Sequence, residues 1–181
     1  TSSSWLGFAR DQMLCRRITA ATGIPACTAV LALNEILERT GGRRLGLVTP
    51  YRDDVQAKIA ANYAGAGLSV VAERHLGIQD NYSFAEVDGV TIEQMIREVA
   101  AAAPDAIAVL CTNMRGAPLV AALEPSLGIP IYDSVAVTLW KALRICGLDP
   151  AQIKGWGGLF QADRQLPGHS LRPTMTTPTG S

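Results

Sequence analysis

Short runs of aliphatic and β-branched residues alternate along this chain with stretches of helical periodicity, and that alternation constrains the fold more than any other feature. "LGLVT" (45–49), "LSVVA" (68–72), "AIAVLCT" (106–112) and "IPIYD" (129–133) read as strands. Helical patterns near 51–66, 91–103 and 117–127 separate them, and two more lie at 28–40 and 135–146. Strand alternating with helix predicts an α/β fold, a parallel sheet flanked by helices. Local signals support the spacing. Pro50 after Thr49, Thr91 followed by Glu93 and Gln94, and Ser134 mark helix starts, while Gly41-Gly42 and Gly147 mark stops. From 164 to 181 the apolar periodicity gives way to Pro, Thr, Ser and Gly, so that tail is expected to be disordered.

An internal echo adds to this. "TGIPACTAVLALNEIL" (22–37) and "LGIPIYDSVAVTLWKAL" (127–143) share Gly-Ile-Pro, a short extended piece, a hydroxyl residue at a helix start and an apolar-faced helix. "TSSSW" precedes the first copy and "CTNMR" the second. A repeated unit predicts a pseudo-symmetric protein with facing sites, although so short a match also arises by chance. If the copies correspond, Thr1 matches Thr112, and the counterpart of Cys111 falls just before Thr1. The chain is then expected to begin inside its first unit.

Charge narrows the partners. Sixteen basic and sixteen acidic residues cancel, so no overall field draws the chain to nucleic acid or an anionic membrane. No apolar run approaches the ~20 residues of a membrane-spanning helix, and the N-terminus lacks a signal peptide's order. A cytoplasmic protein acting on a small ligand is the expectation. Cys15, Cys27, Cys111 and Cys146 are scattered without a C-x-x-C pair, and His75 and His169 are the only histidines, so neither a metal site nor a disulfide scaffold is expected. For Cys15, Cys27 and Cys146 the reading is a small buried apolar residue. No Gly-x-Gly-x-x-Gly follows a strand and no P-loop is present, leaving no cofactor supported.

In open α/β sheets ligands bind beyond the carboxyl ends of the strands, where loops and helix N-termini offer free donors. Cys111 stands at such an end, followed by Thr112 and Asn113, whose side chains could hold a carboxylate or a developing enolate. A buried strand-end cysteine before a polar turn explains the same residues equally well. Tyr51 occupies another strand-to-helix junction, where a phenol either reaches a ligand or packs on the sheet. Arg52, Asp53 and Asp54 read as a solvated first turn. In "GIQDNYSFAEV" (77–87), Asn81 either donates to a carboxylate or forms an Asx turn. Trp5, Trp140 and Trp156 read as packing residues.

"TSSSW", "TPYRDDV", "GIQDN", "CTNM", "IPIYDS" and "GWGGLF", in this order and spacing, resemble the aspartate/glutamate/hydantoin racemase superfamily, in its branch of maleate cis-trans isomerases and arylmalonate decarboxylases. The resemblance runs from Thr1 to about Phe160. It implies two pseudo-symmetric α/β lobes: a first lobe of 1–41 with 134–163, incomplete because its N-terminal strands are missing, and an inserted second lobe of 42–133. It also implies cofactor-independent chemistry beside a carboxylate, in the cleft between the lobes. Cys111 takes the place of the family's second cysteine, which exchanges a proton with carbon. Thr1 and Ser2 match carboxylate-binding hydroxyls, Tyr51 and Asn81 match residues holding substrate carboxylates, and Thr112, Asn113 and Ser134 complete the substrate-binding set. The family's first cysteine falls just before Thr1, where the decarboxylases have glycine. "YDSVAV" departs from the maleate-isomerase pattern, Val135 and Ala136 being more racemase-like.

These residues are expected to serve an isomerase of small dicarboxylates, of the maleate cis-trans type, using cysteine as nucleophile and acid/base. The alternatives are an arylmalonate-type decarboxylase, an aspartate or glutamate racemase, and a non-catalytic fragment or ligand-binding protein. Homo-oligomers are a further expectation, and residues 1 to 181 alone are expected to be inactive and of low stability.

Overall fold

The structure is a computed structural model that describes residues 1–162; the expected disordered tail at 164–181 and the last residue of the expected first lobe, Asp163, lie outside the described residues. Its centre is a four-stranded parallel sheet in the order β2-β1-β3-β4, with β1 at Arg44–Thr49, β2 at Ser69–His75, β3 at Ala106–Val109 and β4 at Ile131–Asp133. Every residue of β3 and all but the first of β1 are buried, as expected of inner strands covered on both faces. β2, at one edge, is only half-buried.

Helices α4 (Asp53–Gly65), α5 (Gly89–Ala100) and α6 (Ala117–Leu127) connect the strands in turn. α4 lies against β2, α5 against β1 and β2, and α6 against β4. α5 is anchored by Asp88, whose side chain accepts the Thr91 N–H at 2.7 Å, and it buries Ile92, Met95, Ile96 and Val99 at helical spacing. Its start therefore falls two residues before Thr91. α4 begins at Asp53, with Tyr51 left in the extended approach to it. The β2 run continues past Ala72 to His75, and β3 stops two residues short of Cys111.

Two helices belonging to no strand crossing, α3 (Ala29–Thr40) and α7 (Ser134–Ile145), pack on each other, with Glu35 and Lys141 paired at 2.5 Å. They are the helices of the internal echo. Gly23 and Gly128 both take left-handed conformations, and Thr28 and Asp133 both cap the helix that follows through a side-chain oxygen. The equivalence is thus Thr28 with Asp133; Ser134 is one residue further on. Residues 131–133 pair as β4, whereas 24–28 have no strand partner among the described residues.

Two N-terminal helices have no counterpart in the sequence expectations: α1 (Ser3–Leu6) and α2 (Phe8–Thr22). None of the residues of α2 is fully buried, and Met13, Leu14 and Ile18 are exposed, so no sharp apolar stripe announces it. Cys146 is exposed, not buried as its sequence reading expected, because the chain turns outward at the end of α7; Cys15 and Cys27 are partly buried. Trp140 is fully buried and Trp156 is 44 % exposed, so the packing role holds for the first and not for the second.

Candidate active site

The order β2-β1-β3-β4 places a crossover between β1 and β3, since the chain leaves β1 towards one edge and returns on its other side. Loops diverge at such a point and open a crevice beyond the strand ends. Val48 is in register with Val109, and the Leu110 N–H donates to the Val48 carbonyl at 2.9 Å. Tyr51 and Cys111 are therefore carried off the ends of adjacent strands, side by side.

Two further segments close on them. The N–H groups of Gly77 and Ile78 donate to the carbonyls of Tyr51 and Pro50 at 3.0 and 2.9 Å, which lays the 77–84 loop along the Tyr51 approach. The N-terminus is seated by α1 against α4, where Asn62 Nδ2 donates to the Ser4 carbonyl at 2.8 Å and Ser4 Oγ donates to the Thr1 carbonyl at 2.8 Å. Together these segments enclose an open cavity of about 450 Å³, lined by Thr1, Ser2, Trp5, Tyr51, Arg52, Val55, Ile78, Gln79, Asn81, Phe84, Cys111 and Thr112. That volume suits a small molecule.

The lining includes a cluster of hydroxyl and thiol groups. Thr1 Oγ1 and the Tyr51 hydroxyl are 2.8 Å apart, and the Cys111 thiol is within hydrogen-bonding reach of the same phenol. Burial holds the Tyr51 phenol well above its ordinary pKa, the neighbouring thiol raises it further, and the Thr1 hydroxyl offsets part of the rise. Tyr51 is thus a neutral donor at physiological pH. The Thr1 hydroxyl, the Tyr51 phenol and the Cys111 thiol form one contiguous cluster of exchangeable protons. Aromatic rings flank the same phenol: Trp5 meets Tyr51 edge-on at 5.0 Å, and Tyr51 meets Phe84 edge-on at 5.5 Å.

Of the residues singled out from sequence, Thr1, Ser2, Tyr51, Asn81, Cys111 and Thr112 line this cavity together. Asn113 and Ser134 do not. Asn113 Nδ2 donates to the Asn81 carbonyl at 2.9 Å, latching the 77–84 loop to the turn after Cys111. Ser134 is buried, and its hydroxyl donates to the Val109 carbonyl at 3.1 Å; the residue before it, Asp133, caps α7, so Ser134 is turned beneath β3. Cys111 is buried, at 2 % exposure, as a strand-end cysteine packed in the core would be, and it also lines the cavity together with Tyr51 and Thr112.

Trp5, Arg52, Val55, Ile78, Gln79 and Phe84 complete the lining and were not picked out as site residues. Signals for two existed. Trp5 follows Ser2 at one helical turn, and Arg52 adjoins Tyr51 at the same junction. Behind the cavity, Gly116 and Asp133 set the turn that follows Cys111. Asp133 is fully buried; its Oδ1 accepts the N–H groups of Val135 and Ala136 at 2.8 and 3.3 Å, and burial pushes its carboxyl up to about 6 despite them and the Ala117 N–H. Among the described residues no group of three His, Cys, Asp or Glu side chains could hold a metal ion, and no helix is long and apolar enough to cross a membrane.

A parallel sheet with a thiol and hydroxyls gathered beside a cavity at its crossover defines a class of α/β protein with its candidate site beyond the strand ends. Comparison with known proteins narrows the class. The arylmalonate decarboxylase family model matches residues 1–160. The chain is 32 % identical over 160 residues to the arylmalonate decarboxylase of Bordetella bronchiseptica, a match covering 87 % of this chain and 67 % of that protein. It is 29 % identical over 133 residues to the maleate isomerase of Nocardia farcinica, covering 73 % of this chain and 53 % of the relative. The solved structure of unliganded arylmalonate decarboxylase superposes with a TM-score of 0.78 at 32 % identity, covering 89 % of this chain and 71 % of that one. The chain belongs to the arylmalonate decarboxylase family, in the racemase-like branch that also contains the maleate isomerases. It spans about two thirds of the length of the Bordetella relative and about half that of the Nocardia one.

Proposed function

We propose that the cavity binds a malonic acid carrying an apolar substituent and that the chain's chemistry is cofactor-independent decarboxylation. The observation that carries this reading is the mixed lining of the cavity, which combines the hydroxyl and thiol groups of Thr1, Ser2, Tyr51 and Cys111 with the apolar side chains of Trp5, Val55, Ile78 and Phe84. The hydroxyl cluster suits the carboxylate that is retained, and the apolar side chains suit the substituent. Cleavage of the bond between the α-carbon and the second carboxylate releases carbon dioxide and leaves its electron pair in an enediolate. Thr1, Ser2 and Tyr51 stabilise that charge through hydrogen bonds stronger to the enediolate than to the ground-state acid. The Cys111 S–H then gives its proton to the α-carbon, and solvent returns a proton to sulfur.

The test is incubation with phenylmalonate, following phenylacetate by chromatography. Turnover that Cys111→Ala reduces by about three orders of magnitude supports the reading. Turnover indifferent to that substitution overturns it; no turnover with any substituted malonate is the outcome expected if residues 1 to 181 are inactive alone.

A second reading, the dicarboxylate isomerase of maleate type, is favoured by the Nocardia relative and by Asn81 in the lining. Conversion of maleate to fumarate, followed by ultraviolet absorbance, distinguishes it, and chiral chromatography of aspartate and glutamate tests racemisation. The division into lobes, with 42–133 inserted between 1–41 and 134–163, belongs to the same proposal, supported by the confinement of all four strands to 42–133.

A further inference from the structure

Arg52 is the one charged side chain in the lining of the cavity. Its position is specific: it follows Tyr51 directly and is the residue before α4, in an extended conformation and without a capping hydrogen bond from its side chain. The guanidinium is more than half exposed and is held only loosely, with Nε 3.6 Å from Asp54 Oδ1. Asp53 and Asp54 beside it offset part of its charge from outside the cavity. Neither Asp53 nor Asp54 is part of the lining, and Asp53 Oδ1 is taken up by His75 Nε2 at 3.0 Å. With sixteen basic and sixteen acidic residues overall, no long-range field competes with this local one.

We infer that Arg52 is a specificity-determining residue at the mouth of the cavity, which favours a dianionic acid over its monoanionic counterpart. The inference rests on the carboxylic-acid reading of the cavity given above. Its chemical sense lies in the change of charge during reaction. A malonate enters with two negative charges, and after loss of carbon dioxide the remaining acid has one. A cation at the mouth attracts the first about twice as strongly as the second at the same separation, so it draws substrate in without equally holding product. An exposed guanidinium contributes modestly and is screened by salt, which sets the size of the effect. Arginine also matches a carboxylate with two parallel N–H groups, a geometry lysine cannot reproduce.

The test is calorimetric binding to the full chain carrying Cys111→Ala, so that no turnover intervenes, with phenylmalonate as the dianion and phenylacetate as the monoanion. Adding Arg52→Gln is expected to weaken phenylmalonate binding about three- to fivefold at low salt and phenylacetate binding less than twofold. The difference is expected to shrink at physiological salt, and Arg52→Lys to restore part of it. Arg52 makes no capping bond, so circular dichroism should show the fold retained. If phenylmalonate binds the parent and Arg52→Gln leaves its affinity unchanged, or weakens both ligands equally, the assignment of Arg52 is wrong while the carboxylic-acid reading stands. If neither ligand binds the parent, the reading of the cavity fails and the assignment falls with it.

Discussion

Gly116 gives the sharpest test of how the turn after Cys111 is held. Its backbone is ordinary, with φ −78° and ψ −34°, so any residue could adopt it. Considered by backbone entropy alone, Gly116→Ala should stabilise the protein by about 0.4–1 kcal/mol. The surroundings argue the other way. A Cβ built there would lie 2.8 Å from Val109 Cγ1, 2.9 Å from Asp133 Oδ2 and 3.2 Å from Val109 Cβ, where carbon contacts prefer about 3.5–4.0 Å. Neither neighbour can yield. Val109 is β-branched and fully buried in β3, and Asp133 is fully buried with its other oxygen bonded to the first turn of α7. Overpacking of this kind costs about 1–3 kcal/mol, so the net effect is a loss of about 1–2 kcal/mol. For a chain of this size that lowers Tm by roughly 2–8 °C. Thermal denaturation followed by circular dichroism measures it, with urea unfolding to confirm a lower midpoint at unchanged slope. A Gly116→Ala protein that melts at or above the wild-type temperature would refute the close approach of Gly116 to Val109 and Asp133.

Three further outcomes are expected. Tyr51→Phe removes the hydroxyl 2.8 Å from Thr1 Oγ1 and should cost about 0.5–1.5 kcal/mol in urea unfolding; in the decarboxylase assay it should lower kcat by about tenfold or more, and an unchanged kcat would remove Tyr51 from the chemistry. Asp133 has a folded pKa of about 6 against about 3.9 unfolded, so the folded state holds its proton over that interval and stability from this group falls as pH rises from about 4 to about 6. The stability difference between Asp133→Asn and wild type, measured in urea across that range, should therefore change in favour of the variant as pH rises; a pH-independent difference contradicts the assignment. His75 is raised, chiefly by its hydrogen bond to Glu73, with burial opposing and Asp53 adding. Its contribution is present in full below its unfolded pKa, near 6.5, and lost as pH climbs through the raised folded value; His75→Gln should flatten that loss, and an identical pH profile would show the two contacts contribute nothing.

Much of the fold is legible in local sequence. "LGLVT" and "AIAVLCT" have the continuous apolar character of inner parallel strands, and β1 and β3 form there, because burial on both faces leaves no place for polar residues. The 117–127 helix coincides with α6, bounded by Gly116 and Gly128. α2 was not legible, since a helix that fully buries none of its residues carries no periodic signal. Ser134 shows the limit for the site. A serine at a helix start looks available for binding, but whether it faces a cavity or the underside of a strand depends on its neighbour Asp133 taking the cap.

The sequence by itself determined the order of the four strands and of helices α3 to α7, and the chemical types set at the strand ends, Tyr51 after one and Cys111 after another. These depend on interactions within a few residues, which a linear pattern records. Only the tertiary structure decided that β1 and β3 are neighbours, that α1 rests on α4, and hence that Thr1, Tyr51, Asn81 and Cys111 share one cavity with Trp5 and Arg52. Pairing between distant segments is settled by the burial of whole faces against one another, and no short stretch of chain contains that information.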